Sequence, residues 1–166
     1  MQLGAVDERT AAKLALARGY ATLERLNADL YSANAVTGQR IKARDEFLLA
    51  ASKDPTDPAP HLALARVFAY SLPDPEKAMA EFAEAVRLGA VLGSREIEQQ
   101  GDAYRLRARR ELPHDWRRAK RDAEIARAFY QRIEGFNQSA PHLQELTLIH
   151  APAPRKPRPR RSYRWR

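Results

Sequence analysis

The chain has 166 residues, of which 44% are hydrophobic and 30% charged, and a single domain of that length buries roughly two-thirds of its unfolded surface. It contains no cysteine, which excludes disulfide frameworks, thiolate catalysis and cysteine-ligated zinc, and no apolar run reaches the roughly 18 residues of a membrane-spanning helix. The formal net charge is +8, and its distribution along the chain determines what it implies.

The start of the sequence, residues 1–8, has neither a basic beginning nor an apolar stretch. A secretory signal needs both, so the sequence as it stands predicts a cytoplasmic protein. A truncated start would hide such a signal, which leaves export open as an alternative.

Two segments of the chain are near copies of one another. Residues 13–21 read KLALARGYA and residues 61–69 read HLALARVFA. After each copy come small residues and one aromatic at helical spacing, first Ala43, Phe47 and Ala50, then Ala78, Phe82 and Ala85. An internal repeat of this kind predicts stacked helix pairs, because small residues let two helices approach closely while aromatic rings fill the remaining space.

The order of these residues resembles the tetratricopeptide repeat, a motif of about 34 residues. The residues that carry the resemblance are Ala43, Phe47, Ala50 and Pro55 in one second helix, Leu64, Ala65 and Phe68 in a first helix, and Gly101 and Tyr104 in a third copy. The resemblance implies an all-α fold over residues 1–150, a right-handed superhelical stack of antiparallel helix pairs, or α-solenoid. The implied parts are units at about 8–55, 58–90 and 94–137 and a cap helix at 141–150.

The spacing of the copies departs from that period. Gly101 lies 36 residues after Ala65, but Ala65 lies 48 residues after Ala17. The surplus falls between Tyr20 and Ala43, where an apolar helical spacing continues at Leu23, Leu26, Leu30 and Tyr31. We therefore expect the first helix to run on for extra turns through this segment.

Prolines and acidic residues mark the expected helix boundaries. Residues 54–60 and 72–76 read DPTDPAP and LPDPE, in which proline cannot continue a helix and aspartate can cap the next one. In the third unit, residues 112–116 enlarge the turn before small residues return at Ala119, Ala123 and Ala126. The last expected helix, at 141–150, presents Leu143, Leu146 and Ile149 and would cap the stack.

The basic charge is concentrated in two segments. Residues 151–166 contain seven cations and no acid, and their four prolines leave too little apolar surface for a packed core, so this basic tail is expected to be disordered. Its candidate polyanion-binding residues are Arg155, Lys156, Arg158, Arg160, Arg161, Tyr163, Arg164, Trp165 and Arg166. Residues 105–121 form a second basic patch, with eight cations against two acids.

Arginine interleaved with aromatic side chains is typical of segments that bind phosphates and stack on unpaired bases. The basic tail and the 105–121 patch together therefore give one alternative function, an adaptor for nucleic acid or another polyanion. An acidic protein or an anionic lipid surface fits the same charge. The simplest interpretation is a solvated tail with weak, salt-sensitive attraction to polyanions.

No catalytic constellation, phosphate-binding glycine loop or metal-ligand spacing stands out in the sequence. The cluster at His114, Asp115 and Trp116 allows two interpretations. In one, His114 is a general base oriented by Asp115; in the other, Asp115 caps the helix that begins at Trp116. The second is favoured, so the chain is expected to be no enzyme and to need no cofactor or metal.

In the tetratricopeptide family, the first helix of each unit lines a concave groove that commonly holds peptide segments of partner proteins. The resemblance therefore implies a non-catalytic scaffold whose partner is a protein or peptide. The implied groove residues are Leu14, Arg18, Thr22, Leu62, Arg66, Tyr70, Glu98, Asp102 and Arg105. Arg18 and Arg66 hold the same place in the two copies, and their guanidinium groups suit peptide carboxylates. A further alternative is a structural module in which the longer first unit pairs two copies into a homodimer.

Overall fold

The computed structural model describes residues 7–27, 33–133, 135 and 141–149, and every regular element within them is helical, as the sequence predicts. The α-helices are α1 (Glu8–Glu24), α2 (Ala33–Lys53), α3 (Ala59–Arg66), α4 (Pro75–Arg87), α5 (Ser94–Glu111), α6 (Trp116–Gln131) and α7 (Pro141–Thr147). A 3₁₀ turn, Arg25–Asn27, follows α1, and a π-helical turn, Val67–Ser71, extends α3.

α1 and α2 pack against each other as an antiparallel pair. At one end of the pair, Glu8 of α1 forms an ion pair with Lys53 of α2 at 2.9 Å. Toward the other end, Gly19 lies against the buried ring of Phe47, and a Cβ atom on Gly19 would lie only 2.3 Å from a ring carbon. Glycine at this position is therefore what lets the two helices come so close.

α3 and α4 form the second antiparallel pair. Asp74 caps α4 by accepting a hydrogen bond from the Lys77 N–H at 3.2 Å, in the proline-bounded turn that the sequence predicts. Between the two helices, a His61 ring nitrogen lies 2.7 Å from a carboxylate oxygen of Glu81. His61 lies near the start of α3 and Glu81 at the middle of α4, so this contact joins the two helices of the pair.

α5 and α6 repeat the construction of the first pair. Asp115 caps α6 by accepting hydrogen bonds from the N–H groups of Arg117 and Arg118, each at 3.0 Å, which confirms the capping interpretation of this residue. Gly101 lies against the buried ring of Tyr130, and a Cβ atom on Gly101 would lie 2.6 Å from a ring carbon. A glycine facing an aromatic ring thus sets the helix separation in both pairs.

Tertiary contacts are concentrated between helices that follow one another in the chain, and they are most extensive within these three pairs. The first cluster of buried residues consists of Ala43, Phe47, Ala63, Leu64, Val67, Phe68, Ala69, Ala78 and Ala103. The second consists of Ala108, Ala119, Ala123, Ala126, Tyr130, Leu143, Leu146 and Ile149. Four small residues of the repeated pattern, Ala43, Ala50, Ala78 and Ala85, are completely buried, as predicted.

α7 covers the end of the third pair. Leu143 and Leu146 of α7 and Ile149 just after it are all buried in the second cluster, where Tyr130 of α6 also lies. These three apolar residues therefore take the covering position that was expected of the last helix.

The first helix ends earlier than its apolar spacing suggests. α1 stops at Glu24, and Leu26 already lies in the 3₁₀ turn, so the expected continuation through Leu26 is wrong. Leu30 and Tyr31 lie outside the described residues. The surplus length instead belongs in part to α2, which begins at Ala33. Apolar spacing alone does not distinguish one long helix from two shorter ones that face the same core.

The two near copies are buried differently. Ala65 is completely buried in α3, whereas Ala17 is exposed on α1, because α3 packs on both α2 and α4 and α1 packs mainly on α2. The residue of the first pair that packs as Gly101 does is Gly19. The expected correspondence of Ala17 with Gly101 is therefore wrong by two positions.

The basic tail at 151–166, with its expected disorder, lies outside the described residues. Within the described ranges, no helix combines the length and the apolarity that crossing a bilayer requires.

Candidate functional site

Two adjoining depressions open on one side of the molecule between α1, α2, α3 and α5, and we call them together the cleft. The larger has a volume of about 600 Å³ and the smaller about 220 Å³. The larger is lined by Tyr20, Leu23, Glu24, Leu26, Val36, Arg40, Arg66, Tyr70, Ser71, Arg95, Glu98 and Gln99. The smaller is lined by Tyr20, Ala59, Leu62, Arg66, Arg95, Glu96 and Gln99. Four residues, Tyr20, Arg66, Arg95 and Gln99, are common to both and form the ridge between them.

The helices bring the ridge residues together from three separate parts of the chain. Tyr20 comes from the last turns of α1, and its ring meets the buried Phe47 ring edge-on, with centroids 5.1 Å apart. Arg66 ends α3, and Arg95 and Gln99 lie in the first two turns of α5. Packing between the helix pairs therefore creates the ridge, which no single repeat unit contains.

The arginines of the cleft differ from the arginines that join helices. Arg40, Arg66 and Arg95 make no ion pair or hydrogen bond with any described residue. The carboxylates of Glu24 and Glu98 also line the larger depression, so its formal charge is +1. The cleft thus offers three guanidinium groups to an incoming anion, in a setting that is not uniformly basic.

Tyr20 and Gln99 add polar groups to the ridge. Burial raises the pKa of the Tyr20 phenol, and the positive charges of Arg66 and Arg95 oppose that shift, so the hydroxyl is a neutral donor at ordinary pH. Gln99 is only 7% exposed, yet its side-chain amide has no hydrogen-bond partner among the described residues. Because Gln99 lines both depressions, its amide is open to the cleft and can pair with a ligand there.

A buried carboxylate supports the wall of the cleft. Asp102 is 6% exposed and accepts hydrogen bonds from the hydroxyls of Tyr70, at 2.6 Å, and Tyr130, at 2.7 Å. Arg105 donates to Asp102 at 3.1 Å and to Glu145 of α7 at 2.6 Å. Burial raises the pKa of both phenols, and Asp102 raises it further, which keeps both hydroxyls protonated as donors. The network links Tyr70, a cleft residue, to α6 and α7.

Of the nine residues that the repeat pattern placed in a groove, four line the cleft and five do not. Arg66, Tyr70 and Glu98 line the larger depression, and Leu62 and Arg66 line the smaller. The residues that line neither depression are Leu14, Arg18, Thr22, Asp102 and Arg105.

Two of those five are part of the interior and not of a surface. Asp102 is buried, and the Arg105 guanidinium is held between the carboxylates of Asp102 and Glu145, so neither is presented to a partner. Their assignment as groove contacts stays a prediction, which the burial of Asp102 and the pairing of Arg105 do not favour. Arg18 matches Arg66 in sequence but lies outside the cleft, since it comes two residues before Tyr20 and therefore projects from a different face of α1.

Sequence reasoning missed Arg95 and Gln99. Arg95, Glu98 and Asp102 follow one another at three- and four-residue spacing and share a face of α5. Extending the stripe one turn toward the start of α5 would have found Arg95. Nothing in the local sequence distinguishes Gln99 from an ordinary surface glutamine, because its burial depends on α1 and α3.

Part of the 105–121 basic patch is occupied by ion pairs between helices. Arg107 donates two hydrogen bonds to Asp122 of α6, at 2.8 and 2.7 Å, and Arg110 donates to Glu76 of α4 at 2.6 Å. With Arg105 and Arg109, which both pair with Glu145 of α7, four of the eight cations are therefore paired with acids of neighbouring helices. These pairs lower the positive charge that the patch can offer to a polyanion.

Among the described residues, no group of three or more histidine, aspartate or glutamate side chains could hold a metal ion. Comparison of the chain with protein family models, with curated proteins and with solved structures finds no match. The function of the chain is therefore inferred from the residues that line the cleft and from the contacts that position them.

Proposed function

We propose that the chain is a non-catalytic scaffold that binds an extended segment of a partner protein in the cleft. The observation that carries the proposal is the ridge, where Arg66, Arg95 and the buried Gln99 all lack a partner among the described residues. Interior arginines of this protein are paired, as Arg107 is with Asp122. Guanidinium and amide groups left unpaired in a concave site are suited to the carboxylates and main chain of a peptide.

The proposal includes the arrangement that the repeat pattern implies, a right-handed stack of antiparallel pairs of the tetratricopeptide type. Its support is the sequential order of the helix contacts and the two equivalent close approaches, Gly19 on Phe47 and Gly101 on Tyr130. In such a stack, neighbouring pairs bury one another's apolar faces and leave a curved surface free. The cleft is lined by residues of the first helices of all three pairs, together with Val36 and Arg40 of α2.

A displayed library of random peptides, panned against the full chain, tests this function. Selected peptides should lose binding to a chain carrying Arg66→Ala and Arg95→Ala, because the ridge loses both cations. Arg18→Ala is the matched control, since Arg18 follows the same Leu-Ala-Leu-Ala sequence as Arg66 but lies outside the cleft. Equal binding of the selected peptides to the double variant and to the original chain would refute the assignment of the cleft.

A second candidate function, homodimer formation, is favoured by one observation. On α2, Ile41, Leu48 and Leu49 are 38%, 46% and 43% exposed, and a shallow depression beside them includes Gly38. Apolar side chains exposed side by side on a helix favour association. Sedimentation equilibrium of the full chain, with Leu48→Glu as the disrupting variant, tests this alternative: a concentration-independent monomer mass for the original chain would exclude it.

A further inference from the structure

We propose that the partner segment binds as an extended strand that places an acidic side chain on the ridge, a large apolar side chain in the larger depression and a small apolar side chain in the smaller one. This inference rests on the proposed function and specifies the partner's sequence: large apolar, any residue, acidic, any residue, small apolar.

The ridge selects the acidic side chain. Arg66 and Arg95 come from different helices, both line both depressions, and both exert a positive potential on the Tyr20 hydroxyl. A carboxylate on the ridge therefore lies within reach of two guanidinium groups that no other described residue uses and of one neutral hydroxyl donor. Charge-assisted hydrogen bonds of this kind are stronger than those between neutral groups.

The extended conformation follows from the division of the cleft by the ridge. Along a strand, alternate side chains point to the same side and are separated by roughly 7 Å. A strand that sets one side chain on the ridge therefore directs the side chains two residues away, on either side, into the two depressions. Gln99 lies under the crossing point with an unpartnered amide, which can donate to and accept from the strand's main chain.

The walls of the depressions set the sizes of the two apolar side chains. The lining of the larger depression is mostly polar, but Leu23, Leu26 and Val36 give it an apolar part, and its volume of about 600 Å³ accommodates an aromatic ring. The apolar residues of the smaller one, about 220 Å³, are Ala59 and Leu62, which suit a valine or an alanine. Burial of apolar surface in both depressions would add affinity that does not depend on charge.

Three blocked synthetic peptides test the inference, with the sequence Gly-Phe-Ser-Glu-Ser-Val-Gly and with its glutamate replaced by glutamine or by lysine. Binding of each labelled peptide to the full chain is measured by fluorescence anisotropy. The glutamate peptide should bind about tenfold more tightly than the glutamine peptide, and the lysine peptide should bind most weakly. In the variant Arg66→Gln with Arg95→Gln this preference should disappear, whereas Arg18→Gln should retain it.

The double variant has the same basic tail as the original chain, so a preference that arises from the tail would survive in it. Survival of the preference in the double variant overturns the inference, as does equal binding of all three peptides or binding of none. A peptide with phenylalanine replaced by alanine should also bind more weakly, and unchanged affinity would overturn the role of the larger depression. These failures leave the proposed function standing if library peptides of other composition still require Arg66 and Arg95.

Discussion

Replacing Gly19 with alanine gives a direct test of how closely α1 and α2 approach. The new Cβ atom would lie 2.3 Å from a carbon of the Phe47 ring and below 3 Å from two more ring carbons. The ring has little room to move, because Phe47 is completely buried and packs edge-on against Tyr20 at 5.1 Å. Either the helices separate or the ring leaves its preferred rotamer, and both cost free energy.

Two opposing effects set the size of the change. Overpacking a core costs about 1–3 kcal/mol, and the confined ring places Gly19→Ala at the upper end. Alanine in a helix interior regains about 1 kcal/mol relative to glycine. The net expectation is a loss of about 2 kcal/mol in the free energy of unfolding, which lowers Tm by about 4–8 °C in a protein of this size.

Urea and thermal unfolding followed by far-UV circular dichroism measure this change, with Gly38→Ala as the control. Gly38 lies in α2, and a methyl group added there would have no neighbouring atom within 4 Å, so the same substitution should stabilise the protein by about 0.5–1 kcal/mol. Adding Phe47→Leu to Gly19→Ala should cost less than the sum of the two single changes. A Gly19→Ala protein as stable as the original would refute the reasoning.

Three further predictions concern stability. Asp122→Ala leaves the Arg107 guanidinium without its ion-pair partner in a mostly buried position, so it should lower the free energy of unfolding, measured by urea denaturation, by about 3 kcal/mol. A decrease below about 1 kcal/mol would contradict a structural role for the pair. Tyr130 has a raised pKa in the folded state. Its contribution to the free energy of unfolding is therefore fully present below about pH 10 and is lost as the pH rises further. Tyr130→Phe should flatten that alkaline decline in Tm while losing the bond to Asp102. Asp115 has a lowered pKa, chiefly because the backbone of α6 donates hydrogen bonds to it. Its contribution to the free energy of unfolding is therefore lost as the pH falls below the ordinary pKa of an aspartate. Asp115→Asn keeps the cap and should reduce this acid-induced decline, and an unchanged acid profile would refute it.

The sequence was sufficient where local chemistry decides the structure. Asp115 caps α6 and Asp74 caps α4 because a short acidic side chain just before a helix satisfies free N–H groups, whatever the rest of the protein does. The buried alanines of the repeat were also identified, since their spacing fixes which face of each helix is small. The end of α1 was not predicted correctly, because the apolar spacing continues past Glu24 whereas the α-helix ends there.

The cleft could be predicted only in part for a similar reason. The repeat pattern predicted that Arg66 and Tyr70 share one groove, and both line the cleft, but it treated Arg18 as the equivalent of Arg66 in the first pair. The cleft forms where pairs meet, and its position depends on how far each pair is displaced along its neighbour. That displacement depends on contacts between pairs, such as Tyr70 on Asp102, which are distant in sequence.

The π-helical turn at the end of α3 has a consequence for how this surface can change. In Val67–Ser71 the Leu72 N–H donates to the Val67 carbonyl at 2.8 Å, so the turn contains one residue more than an α-helical turn. Removing one codon here would restore α-helical geometry and rotate the following residues by about 100°. Tyr70 would then exchange Asp102 for solvent, while the alanine contacts earlier in α3 would keep their places. Changes of length at this point are thus a route by which the lining of the cleft can diversify without rebuilding the core beneath it.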